Sequence, residues 1–169
     1  MQIAFFFLIR IRMSQASKVL KEAGKLNAVN GVGGNSAVVL LTGEGAALTL
    51  QRNDSGKVFV FDTVTPTTVT LPSLADAGVG WSAKFIVNQI AGSASHVVSE
   101  NAASDTNVIR GMVLEADIST NGAVGGSGVT FVNFTNAAGL VGDRCEILAT
   151  SDKWHVIGYG QVDGGITLT

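Results

Sequence analysis

Short runs of apolar residues alternating with polar ones recur from residue 37 to the end of the chain. A period of two over four to eight residues is the mark of a half-buried β-strand. The pattern predicts strands at Ala37–Leu41, Ala47–Leu50, Lys57–Phe61, Thr67–Leu71, Ala83–Gln89 and His96–Ser99. Further strands are predicted at Asn107–Leu114, Gly128–Asn133, Arg144–Thr150, Lys153–Tyr159 and Ile166–Leu168. Turn chemistry separates them. Asp54-Ser55-Gly56-Lys57 reads as a turn that opens a strand, and Thr150-Ser151-Asp152-Lys153 as the turn of an antiparallel hairpin. Pro66 and Pro72 fall at strand margins, where a missing N–H is tolerated. Asn121–Gly128, with four glycines, reads as an exposed loop.

Alternate positions of each strand share a face. Phe59 with Phe61, Phe85 with Val87, Ile147 with Ala149, and Trp154 with Val156 are therefore the expected core pairs. Trp154 is the expected centre, and His155 beside it should face away from the core. No helical pattern alternates with these strands, so βαβ units are not expected. The spacing favours an all-β body, a jelly-roll-like antiparallel β-sandwich, over a parallel sheet.

Residues 1–36 break the pattern and are read as an N-terminal extension to a body that spans 37–169. The apolar run before Arg10 is too short for the ~20 residues of a membrane-spanning helix. No positive residue precedes it, and Arg10 and Arg12 follow it, so it is a poor signal peptide. Two readings stay open: an added strand or anchor on a neighbouring subunit, or a true start at Met13. Ser14–Leu26 is predicted as a short helix, because Val19, Ala23 and Leu26 share a face. Its small apolar area demands a partner surface. Asn27–Ser36, with its run of glycines, reads as a linker.

Charge sharpens the division. The whole chain is −2, but residues 1–36 carry +4 and residues 37–169 carry −6. A basic arm on an acidic body can steer docking to an acidic surface. Only 14% of residues are charged and 46% are hydrophobic, which fits a chain buried in an assembly as well as a Gly/Ala-rich monomer. Cys145 is the only cysteine, so an intrachain disulfide is excluded.

Chemistry is hard to find. Gly31–Gly34 lacks the Gly-Lys-Ser/Thr of a phosphate loop. His96 and His155, the two histidines, lack metal-ligand spacing, and the scattered aspartates lack a calcium-loop pattern. Cys145 reads as a small buried hydrophobe, and no Gly-x-Ser-x-Gly elbow occurs. No catalytic residue and no cofactor are expected. An acidic body argues against nucleic acid, and no membrane association is expected.

The ordered set of turn and strand signals resembles a family of tailed-phage virion proteins with a β-sandwich body. Leu48-Thr49-Leu50 and Asp54-Ser55-Gly56-Lys57-Val58-Phe59 look like its opening. Thr70-Leu71-Pro72, Gly80-Trp81 and Lys84-Phe85-Ile86-Val87 look like its middle. Gly142-Asp143, Asp152-Lys153-Trp154-His155-Val156 and Gly158 look like its close, with Ser151-Asp152-Lys153 where the family often has Asp-Gly-Thr. The resemblance spans about residues 46–169. It implies a capsid decoration, or cement, protein that trimerises on the outer capsid face and clamps the major capsid protein. The alternative it implies is a fibre or tail-tip domain that binds a host glycan, with loops such as Asn121–Gly128 carrying recognition. In the leading reading the contacts to capsid or neighbouring subunits come from the arm. Phe5, Phe6, Phe7, Leu8 and Ile9 would supply apolar area; Arg10, Arg12, Lys18, Lys21 and Lys25 would supply charge.

Overall fold

A computed structural model describes residues 37–42, 47–116 and 123–169. The described chain is all-β. It begins with β1 (Val38–Leu41), β2 (Leu48–Thr49), β3 (Val58–Phe61) and β4 (Thr68–Thr70). A one-turn helix, α1 (Leu74–Ala77), then precedes β5 (Ser82–Val87), β6 (His96–Ser99) and β7 (Ile109–Glu115). β8 (Ala123–Val129), β9 (Phe131–Phe134), β10 (Arg144–Ala149), β11 (Trp154–Gly160) and β12 (Ile166–Leu168) complete it.

Two sheets face each other. One has seven strands in the order β1-β3-β5-β10-β11-β7-β8, the other five in the order β12-β9-β6-β4-β2. Their inner faces share one hydrophobic core. Phe61 joins the two: its ring lies 6.3 Å from Phe85 in its own sheet, and 4.5 Å from His96 and 5.5 Å from Phe134 in the other. Trp154 is fully buried and meets Trp81 edge-on at 5.3 Å. The expected core pairs all point inward, and His155 points out.

Strand direction corrects the antiparallel expectation. Five of the ten pairings are parallel. From β1 to β6 the chain alternates between the sheets, so β1-β3-β5 and β2-β4-β6 each run parallel. Parallel neighbours need a crossover. Here each crossover contains a strand of the facing sheet, and the β3–β5 and β4–β6 crossovers also contain the one-turn helix α1. A period-two pattern reports burial, not direction, so the sequence carries no sign of this. The later strands are mostly antiparallel, including the predicted β10–β11 hairpin, in which Ala149 faces Trp154.

The second correction concerns Asn121–Gly128, read as a loop. Ala123–Val129 is an edge strand paired antiparallel with β7. Glycine weakens a strand on its own, which hides this one from propensity. Tertiary contact explains the glycine at 126: a Cβ there would sit 2.7 Å from the Cβ of Leu168.

The turns follow their sequence chemistry. Gln51 N–H donates to Asp54 Oδ2 at 2.7 Å and Lys57 Nζ reaches Asp54 Oδ1 at 2.5 Å. Gly56 then takes φ +81°, a left-handed conformation suited to glycine. Ser73 caps α1, its Oγ accepting from Asp76 N–H at 3.1 Å.

Candidate functional site

Phe5, Phe6, Phe7, Leu8, Ile9, Arg10, Arg12, Lys18, Lys21 and Lys25 all lie outside the described residues, as do the helix read at Ser14–Leu26 and the linker after it. The body offers two kinds of candidate: buried polar groups and exposed faces.

The buried polar groups hold the fold. His96 accepts from Thr67 N–H at Nδ1 (3.3 Å), so Nε2 carries the proton and donates to the Gln89 carbonyl at 3.1 Å. Burial lowers its pKa, with the carbonyl contacts acting weakly the other way. Glu100 accepts from two consecutive amides, Asn107 N–H at 2.9 Å and Val108 N–H at 2.8 Å. That clamp holds Asn107 at φ +53° at the entry to β7. Asp143 is fully buried and accepts from Leu140 N–H at 2.8 Å and Gln161 N–H at 2.9 Å. Glu115 accepts from Gly164 N–H at 3.0 Å through Oε1, while its buried Oε2 has no hydrogen-bond partner among the described residues. Cys145 is buried in β10, and burial pushes its thiol far above the ordinary range, away from the reactive thiolate. Among the described residues no group of three His, Cys, Asp or Glu side chains is placed to hold a metal ion.

The outer face of the seven-stranded sheet is different in character. Strand register sets its side chains in rows. One row runs Leu40, Val60, Ile86, Arg144, Tyr159, Leu114. The next runs Val38, Val58, Lys84, Glu146, Ile157, Met112. A third holds Ser82, Leu148, His155 and Arg110. Val38, Leu40, Met112, Leu114, Leu148 and Ile157 are each 40–63% exposed there. Lys84 pairs with Glu146 at 2.9 Å, and the Arg144 guanidinium lies 4.9 Å from the centre of the Tyr159 ring.

The outer face of the five-stranded sheet shows the contrast. Its rows are Thr68, Val97, Asn133, Thr167 and Thr70, Ser99, Phe131. Hydroxyls and amides bond along it, Ser99 Oγ to Thr70 Oγ1 at 3.2 Å and Asn133 Nδ2 to Thr169 Oγ1 at 2.9 Å. Phe131, 40% exposed, is the large apolar side chain most open to water in these rows, against six on the other face.

The sequence reading missed the apolar face because its rows cross six strands at once. One local signal was present. Val38-Val39-Leu40-Leu41 is apolar at every position, as in strands covered on both faces.

Comparison with protein-family models, with curated proteins and with solved structures finds no match. Among the described residues no helix is long and apolar enough to cross a membrane.

Proposed function

We infer that this protein is a structural component of a phage virion: a capsid decoration protein that bridges major capsid subunits on the outside of the head. The observation that carries a binding role is the outer face of the seven-stranded sheet, where six large apolar side chains stand 40–63% exposed. They form two groups, Val38 and Leu40 on one side and Leu148, Ile157, Met112 and Leu114 on the other, with Lys84, Glu146 and Arg144 between them; exposed apolar groups rimmed by polar residues mark interaction surfaces. The assignment to a phage head adds the ordered set of motifs from Leu48 to Gly158 that resembles virion β-sandwich proteins.

A cement protein needs no reacting group. It binds only the assembled shell, so its binding free energy stabilises the shell by mass action. A homo-trimer multiplies weak single contacts through effective concentration. The protein would be made in the bacterial cytoplasm and reside on the outer capsid surface. The alternative, a fibre or tail-tip domain that binds a host glycan, would use exposed loops for recognition; in the segment Asn121–Gly128, residues 123–128 belong to strand β8.

Copy number in purified virions tests the proposal. Quantitative mass spectrometry with cryo-EM should find this protein in fixed proportion to the major capsid protein, on the outer surface. A few copies confined to the tail would overturn it.

A further inference from the structure

We propose that the outer face of the seven-stranded sheet is where a second copy of this chain docks. The inference develops the homo-oligomeric part of the preceding reading and does not need the capsid. Three observations converge on it.

The first is the contrast between the two outer faces. The five-stranded sheet carries threonine, serine and asparagine bonded to one another on its outer face, with Phe131 as its exposed large apolar side chain. The seven-stranded sheet instead exposes Leu40, Met112, Leu114, Leu148 and Ile157.

The second is area. The rows cross six strands about 4.8 Å apart, roughly 25 Å. Three rows along the strands cover about 15–20 Å, the third of them over four strands only, so the flat face is on the order of 400 Å² before its relief is counted. Stable interfaces take about 800 Å² of accessible surface from each partner. The flat face supplies about half of that, and the relief of its side chains adds to it.

The third is charge. Of the six basic residues between 37 and 169, three lie on this face, Lys84, Arg110 and Arg144. Of the twelve acidic residues in the same span, only Glu146 lies in its rows. The face is net +2. Elsewhere on the described body Glu100, Glu115 and Asp143 are buried and Asp54 pairs with Lys57, which leaves Asp62, Asp76, Asp105, Asp152 and Asp163 at the surface against Arg52 and Lys153. A net acidic surface is therefore present on the chain itself, at a different place. Two such faces would repel each other slightly if packed symmetrically. A head-to-tail contact, basic apolar face on acidic flank, avoids that and closes into a ring when the rotation permits. Nucleic acid would match the charge but leave the apolar side chains in water.

The test is the mass of the full-length chain in solution, by size exclusion with light scattering. Wild type should run as a multiple of 17.4 kDa. Ile157→Lys in the middle of the face and Leu40→Lys on its edge strand should each bring the mass to one chain, with the far-UV circular dichroism unchanged. Val79→Lys, at a residue 77% exposed outside the rows of this face, should leave the oligomer intact. If Ile157→Lys fails to fold, Leu40→Lys decides. A monomeric wild type overturns the proposal and hands the face to another partner. An oligomer that survives both face substitutions overturns it too. Capsid attachment is not read, so a failed decoration role leaves the result standing.

Discussion

His96 is held neutral by two bonds of opposite sense. One ring nitrogen accepts from Thr67 N–H and the other donates to Gln89. A second proton would turn the acceptor into a donor facing a donor, inside a site stacked 4.5 Å from the Phe61 ring. Burial lowers the folded pKa, so the unfolded chain takes up the proton first. The sign follows: the contribution is complete above the unfolded value of about 6.5 and is lost as pH falls below it toward the folded pKa. Urea midpoints measured from pH 8 to pH 5 should fall at the acid end, and His96→Gln should flatten that fall. An identical slope in the variant would remove His96 as the cause. The same residue was legible in the sequence only as one of two histidines without metal spacing. Its partners lie 29 and 7 residues away, so its role could not be read locally.

At the scale of elements, β7 shows how a neighbour dictates a residue. Gly111 pairs with Val156 of β11 in a parallel register, just past an irregularity at Ile109/Arg110. A Cβ at 111 would run into the Val156 carbonyl oxygen and lie 2.9 Å from its amide nitrogen. Backbone cannot yield as a flexible side chain can. Gly111→Ala should therefore destabilise the body by about 1–3 kcal/mol, the usual cost of forcing extra volume into a packed site. Chemical denaturation measures it, and a neutral result would mean that β7 and β11 can separate freely. Strand β8 makes the complementary point. Its glycines argue against a strand in isolation, yet β7 pairs along its length. Propensity lost to tertiary pairing there, which is why the sequence predicted a loop.

For the whole molecule the decisive feature is one core shared by two sheets. Phe61 contacts aromatic rings in both, so removing it opens a cavity between the layers rather than beside one of them. Phe61→Ala should cost about 3–5 kcal/mol and lower the unfolding transition seen by both tryptophan fluorescence and far-UV circular dichroism. A loss confined to one probe would show that the sheets unfold separately. The alternation of β1 to β6 between the sheets gives the reason to expect a single transition. Each covalent step along that half of the chain carries it across the core.

The sequence by itself determined which residues face inward. Alternation is local, because successive side chains on a strand point to opposite sides whatever the partner. Phe59, Phe61, Phe85, Val87, Ile147 and Trp154 were legible for that reason, and so was the β10–β11 hairpin, whose turn lies between its strands. Tertiary structure decided what depends on partners distant in sequence. Direction is one such property: β3 and β5 run parallel because β4 carries the chain across the other sheet between them. The apolar face is another. Leu40, Ile157 and Met112 belong to strands far apart in the chain, and only the order and register of six strands bring them onto a common surface.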